Sequence, residues 1–241
     1  MAKIYCIANQ KGGVGKTTTA VNLAAALSQL SFNVLLVDLD PQGNATTGSG
    51  LEKNNLVQSV YEVLLDRADI KKVITHSTSG YDILGSNRKL AAAEEELLSA
   101  ARKELRLKTK LDEVSGQYDV IIIDCPPTLS ILTINAFCAA DGLIIPMTCE
   151  YYSLEGVSDL LLSIRAVREQ VNSGLVITGL LRVKFDPRIT LQREVSEQLS
   201  GYFGSSVFSS VIPTNVRHAE APSYGLSGIQ YDPSSRGAVS Y

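Results

Sequence analysis

Lys11-Gly12-Gly13-Val14-Gly15-Lys16-Thr17-Thr18 is the stretch on which the fold turns. It follows an apolar run from Ile4 to Ala8 that reads as a buried strand. It precedes an amphipathic helix with Ala20, Leu23, Ala24 and Leu27 on one face. Strand, glycine turn and helix, in that order, are the setting of a phosphate-binding loop. Glycines let the backbone bend tightly and carry its N–H groups up to an anion. The helix N-terminus adds a partial positive charge and unpaired donors. In that setting Lys16 reaches the β- and γ-phosphates of a nucleotide, and the Thr17 hydroxyl binds Mg²⁺. The general pattern G-x-x-x-x-G-K-[ST] is not fully met. Its first glycine falls at Gln10, and an extra lysine, Lys11, stands before the glycine pair.

Beyond the loop, apolar runs alternate with helical patterns. Val34-Leu35-Leu36-Val37 fits a parallel strand buried on both faces, with Asp38 and Asp40 at its C-terminal end, where open α/β sheets bind ligands. Pro41, Gly43, Gly48 and Gly50 then predict a flexible stretch. A short helix is expected from about Ser59 to Asp66, a strand over Tyr81 to Leu84, and one strong helix from about Ala91 to Leu111. Tyr118 to Asp124 is the clearest buried strand. A buried carboxylate at its end needs a cation or hydrogen bonds to offset its desolvation, so Asp124 is a candidate Mg²⁺-organising residue. Further strands are expected at Gly142 to Pro146, Val176 to Val183 and Val207 to Ile212. Helices are expected over Ile131 to Ala140, from Ser153 to about Val171, and between Pro187 and Leu199. The repeated β-α order predicts a three-layer, doubly wound α/β fold, with a mainly parallel sheet and helices on both faces. No linker or repeat divides the chain, so residues 1–241 read as one domain of P-loop NTPase type.

Composition narrows the function. The chain has 241 residues, enough for one sizeable core, and no apolar run long enough for a transmembrane helix. Met1 leads directly into the first strand, so no signal peptide is expected. Cys6, Cys125, Cys138 and Cys149 lack C-x-x-C spacing and read as buried, reduced thiols of a cytoplasmic protein. A net charge of −3 argues against a monomer that coats nucleic acid, but it leaves room for a local basic patch. Residues 182–217 hold Arg182, Lys184, Arg188, Arg193 and Arg217, partly offset by Asp186, Glu194 and Glu197.

Lys11-Gly12-Gly13-Val14-Gly15-Lys16-Thr17 resembles the deviant Walker A loop of the ParA/MinD ATPase superfamily, with its additional lysine. Asp38-Leu39-Asp40-Pro41-Gln42-Gly43-Asn44 and Ile123-Asp124-Cys125-Pro126-Pro127 are similar to that superfamily's next two motifs. Glu150 to Gly156, Ile212 to Arg217, Glu220 to Ser223 and Ser235 to Ala238 resemble stretches of the chromosomal ParA (Soj) branch. The resemblance implies a weak ATP hydrolase whose ATP-dependent homodimer binds non-specific DNA on the nucleoid and is reset by a ParB-type partner. The alternative within the superfamily is a MinD-like membrane-cycling ATPase, which needs a C-terminal amphipathic helix; Asp232 to Tyr241 carries no such stripe.

By the same resemblance, Gly12, Gly13, Val14, Gly15, Lys16, Thr17 and Thr18 cradle the phosphates. Thr17 ligates Mg²⁺ directly, and Asp124 holds it through water. Asp40 positions the attacking water, and Lys11 reaches the nucleotide of the other subunit. Pro213 and Asn215 lie against the adenine. Arg188 and Arg217 fall on the DNA side, where the family usually has an arginine in place of Thr214.

Overall fold

The computed structural model describes residues 1–151 and 153–241, and all side chains outside 152–156. The first half of the chain runs β1 (Lys3–Ile7), α1 (Lys16–Gln29), β2 (Val34–Asp38), α2 (Asn44–Gly48), α3 (Val60–Leu64), α4 (Ile70–Val73), β3 (Thr75–His76), β4 (Asp82–Leu84), α5 (Leu90–Leu98) and α6 (Arg106–Asp112). The second half runs β5 (Val120–Asp124), α7 (Ile131–Ala139), β6 (Gly142–Thr148), α8 (Ser153–Gln170), β7 (Val176–Phe185), α9 (Thr190–Phe203), β8 (Val207–Pro213), α10 (Val216–Glu220), α11 (Gly228–Tyr231) and α12 (Arg236–Ser240). The strands form one sheet in the order β3-β4-β2-β5-β1-β6-β7-β8. Every pairing is parallel except β3 with β4 at the edge.

The central strands are apolar throughout because both faces are covered. Ile4, Cys6, Leu35, Val37, Ile121 and Ile123 pack on one side with α3, α5, α7, α8 and α9. Ile7, Leu36 and Ile122, which alternate with them, pack on the other side with Ala20, Val21, Ala24 and Ala25 of α1. This period-two division of the strands yields the expected three layers. All four cysteines are buried and free.

Two sequence expectations need correction. The helix expected from Ala91 to Leu111 is broken: α5 ends at Leu98, Arg102 adopts φ 50°, and α6 starts at Arg106. A continuous helix would set Leu107 about 80° out of phase with Leu97, yet both are fully buried. The break restores the phase, and Asn135 of α7 holds it by accepting from the Leu107 N–H (3.0 Å) and donating to the Lys103 carbonyl (2.7 Å). The stretch after Pro41, expected to be flexible, contains α2 and is tied to β2 by Thr46. The helix near Ser59 does form, with Ser59 and Glu62 making a capping box that the S-x-x-E spacing encodes.

Candidate active site

The C-terminal ends of β1, β2 and β5 lie side by side, with Ile7 opposite Asp124 and Asp124 opposite Asp38 in the strand register. The glycine turn leaves β1 at this edge. Asn9 anchors it, donating to the Pro146 carbonyl (2.8 Å) while its Oδ1 accepts the Lys11 N–H (2.9 Å). Gly13 (φ 73°) and Gly15 (φ 78°) take left-handed conformations that a side chain would strain. Gly15 is the N-cap of α1, and its cap has no side-chain hydrogen bond. The first amides of this 14-residue helix therefore face the turn as donors for an anion.

Lys16 is buried, and its ammonium donates to the Lys11 carbonyl at 3.2 Å. Burial pushes its pKa down, while Asp124, then Cys125 and Asp40, pull it back. Asp124 is fully buried, and neither carboxylate oxygen has a hydrogen-bond partner. Burial, and next the neighbouring Asp38 charge, push its pKa well above the usual carboxylate range. The Thr17 hydroxyl opposes that shift without closing a hydrogen bond of ordinary geometry. Asp38 is pushed up to about 6 by burial, against the hydrogen bonds from Thr46. Asp40 lies at the same edge, with its Oδ1 accepting the Gln42 N–H at 2.9 Å.

These features suit a Mg²⁺-bound nucleotide. An orphaned buried carboxylate beside a threonine hydroxyl supplies the sparse protein ligation typical of Mg²⁺, which takes its remaining ligands from water and phosphate. Among the described residues no group of three or more His, Cys, Asp or Glu forms a metal cluster. Beside the turn opens a cleft of ≈ 420 Å³ lined by Gly15, Thr18, Val183, Pro213, Asn215 and Tyr241, large enough for a nucleoside. Pro213 and Asn215 line this cleft together with Gly15 and Thr18 of the loop and first helical turn. Asn215 also caps α10, accepting the Arg217 N–H at 2.9 Å.

The outer cations each hold a carboxylate or carbonyl of the chain itself. Lys11 pairs with Glu150, just past β6, at the exposed rim of the turn. Lys184, which the sequence reading left unassigned beyond a charge patch, adopts φ 53° in β7 and donates to the Gly13 carbonyl at 2.8 Å. Its contact spans 171 residues of sequence, so no local motif could have signalled it. Arg188 is locked on Asp186 (2.7 Å), and Arg217 on Glu220 (2.9 Å) and Asp232 (3.5 Å). Arg182 does not belong to a surface patch. Its guanidinium turns inward to Ser196 (2.9 Å) and the Phe208 carbonyl (2.8 Å). Of the resembling stretch Glu150 to Gly156, the side chains from Tyr152 onward lie outside the described residues.

A phosphate loop at the centre of a parallel sheet, with a threonine and strand-end carboxylates around it, defines a P-loop nucleoside triphosphatase. Residues 2–177 match the AAA domain family. The sporulation initiation inhibitor protein Soj of Bacillus subtilis is 50% identical over 242 aligned residues, covering 100% of this chain and 96% of that protein. The chromosome partitioning protein ParA of Myxococcus xanthus is 44% identical, covering 100% of this chain and 86% of the relative. A solved structure described as cobyrinic acid a,c-diamide synthase from Mycobacterium smegmatis, with bound ATP analogue and magnesium, superposes with a TM-score of 0.90 at 36% identity, covering 100% of this chain and 91% of that one. The chain belongs to the ParA/MinD superfamily of P-loop ATPases, on its Soj branch. It is a ParA-type partitioning ATPase that binds ATP with Mg²⁺ and hydrolyses the nucleotide.

Proposed function

We propose that residues 1–241 act as one ATPase domain that dimerises on ATP, binds DNA without sequence preference, and is reset when a ParB-type partner stimulates hydrolysis. The cycle takes place in the cytoplasm, on the nucleoid. The names of the Soj and ParA relatives support a role in chromosome partitioning. Among the described residues no helix is long and apolar enough to cross a membrane.

Each site residue has a part in this reading. The backbone from Gly12 to Thr18 cradles the phosphates, and Lys16 supplies their main positive charge. Mg²⁺, when bound, would supply positive charge against that developing on the phosphates. Thr17 would ligate it, and Asp124 would hold it through water. Asp40 orients the attacking water. Pro213 and Asn215 form the adenine wall. Arg188 and Arg217 face DNA, where two copies held rigidly gain from effective concentration.

The observation that carries the dimer is the placement of Lys11. Its ammonium lies outside its own phosphate pocket, on Glu150 at the exposed rim, while Lys16 occupies the inside. Among the described residues nothing would meet a Cβ at Gly12, and that residue is not left-handed. A close approach by a partner's phosphates accounts for a glycine there. Lys11 then acts in trans, as an arginine finger does.

Mixed dimers test this arrangement. Lys11→Ala should bind ATP but dimerise and hydrolyse poorly. Asp40→Ala should bind ATP and dimerise without turnover. A mixture of the two should regain hydrolysis, since one of its sites keeps Asp40 and receives Lys11 from across the interface. Mixed dimers without recovered turnover, or Lys11→Ala dimerising normally with ATP, would refute the in-trans role.

A further inference from the structure

Behind Asp40 runs a buried ring of hydrogen bonds to which none of the roles above assigns a task. Asp38 Oδ2 accepts from the Thr46 N–H (2.7 Å) and from the Thr46 hydroxyl (2.7 Å). With its proton committed to Asp38, the Thr46 hydroxyl accepts from the Ser86 N–H (2.8 Å). The Ser86 hydroxyl donates to the Asp40 carbonyl (2.8 Å). Asp38 Oδ1 closes the ring by accepting the Asp40 N–H (3.1 Å). Asp38, Thr46 and Ser86 are fully buried.

The ring joins three separate segments. Asp38 ends β2, Thr46 sits in α2, and Ser86 follows β4, the strand paired with β2. It grips both polar main-chain atoms of Asp40, the N–H from the Asp38 side and the carbonyl from the Ser86 side. Gly43 (φ 61°) lets the intervening turn lie against Ser86, where a Cβ would come within 2.7 Å of the Ser86 carbonyl. Apolar packing would anchor a strand end without burying a carboxylate, whose desolvation is costly. A fully satisfied polar network does something packing does not: it specifies one geometry. Here the geometry it specifies is the backbone from which the Asp40 carboxylate projects.

We propose that Asp38, Thr46 and Ser86 are positioning residues for hydrolysis, which fix the Asp40 carboxylate without touching the nucleotide. The proposal rests on the reading that Asp40 orients the attacking water. Placement matters because an error of about 1 Å in a reacting group costs about 10²-fold in rate. ATP affinity comes from other residues, namely Gly12 to Thr18 and the cleft beside Pro213, so the ring should act on turnover and leave binding alone.

The test is a split between kcat and ATP affinity. Thr46→Val keeps the side-chain shape but removes the hydroxyl at the centre of the ring. It should lower kcat about 10²-fold, with the ATP dissociation constant, measured by titration, within about threefold of wild type. Thr46→Ser, which keeps the hydroxyl, should restore most of the turnover. Ser86→Ala removes only the bond to the Asp40 carbonyl and should lower kcat about tenfold; it carries the test if Thr46→Val does not fold. Wild-type turnover in Thr46→Val and Ser86→Ala, beside an inactive Asp40→Ala, would overturn the proposal. So would a loss of ATP affinity in step with kcat, since that marks a merely structural role. Asp40→Ala turning over at the wild-type rate would instead overturn the assignment of Asp40 on which the proposal stands.

Discussion

Neutralising Glu150 should strengthen the ATP-dependent dimer. The pair between Lys11 and Glu150 lies within one chain, with side chains 37% and 55% exposed. If Lys11 serves the partner's nucleotide, each subunit must open this pair on association. Pairs this exposed contribute about 0.2–1 kcal/mol. Two of them oppose dimerisation by about 0.4–2 kcal/mol, or roughly twofold to thirtyfold in the dimer dissociation constant. Glu150→Gln keeps the shape and removes the charge. In an Asp40→Ala background that holds ATP, sedimentation velocity across a concentration series should show tighter dimers by a factor in that range. ATP binding to the monomer should be unchanged.

Salt and pH provide controls on the same measurement. Added salt screens the pair, so the two proteins should converge. Lys11 donates a hydrogen bond that holds the Glu150 carboxyl below its ordinary value of 4.5. The pair is therefore fully present above pH 4.5 and is lost as pH falls through the depressed value. The difference between the proteins should accordingly hold across neutral and mildly acidic pH. Equal dimerisation would show that Glu150 does not restrain Lys11. Weaker dimers in Glu150→Gln would place the carboxylate in the interface and refute the reasoning.

Three further outcomes are expected. Asp186→Asn should release Arg188, raise DNA affinity of the ATP state and steepen its fall with salt, read by anisotropy titrations at several salt concentrations; unchanged affinity would remove Arg188 from the DNA surface. Asp124→Asn should replace an unpartnered buried carboxyl with a neutral group and raise the apoprotein's Tm by about 2–4 °C per kcal/mol relieved, while abolishing tight Mg·ATP binding; lost stability in calorimetry would mean the carboxylate has an internal partner. His218 packs between Gly228 and Gly237, edge-on to Tyr241, and burial lowers its pKa from 6.5. The unfolded chain binds the proton more readily, so this contribution is intact above pH 6.5 and declines below it; His218→Leu should flatten the Tm–pH curve there, and an unchanged curve would sink the idea.

What was legible in the sequence was what short-range chemistry decides. The glycine turn and the apolar β5 ending in Asp124 follow from motifs whose neighbours are near in sequence or set by strand order. Charge placement was not legible, because an isolated arginine in a sequence carries no sign of its partner. The helix break at Arg102 was hidden because Asn135, which enforces it, lies 28 to 32 residues away. The order of residues 44–48 was hidden because Thr46 answers to Asp38, and its hydroxyl in turn to Ser86, 40 residues on. The outer cations share a physical pattern. Lys11, Arg188 and Arg217, the cations proposed to act on other molecules, each hold a carboxylate of their own chain: Glu150, Asp186, and Glu220 with Asp232. Partner phosphate or DNA must therefore compete with an internal anion at each position. A single exposed pair resists that exchange weakly, whereas a dimer must open all of them twice, and only a polyanion with several phosphates in register replaces them together. The switch to DNA binding should therefore require the dimer, which presents two sets of cations to phosphates in register.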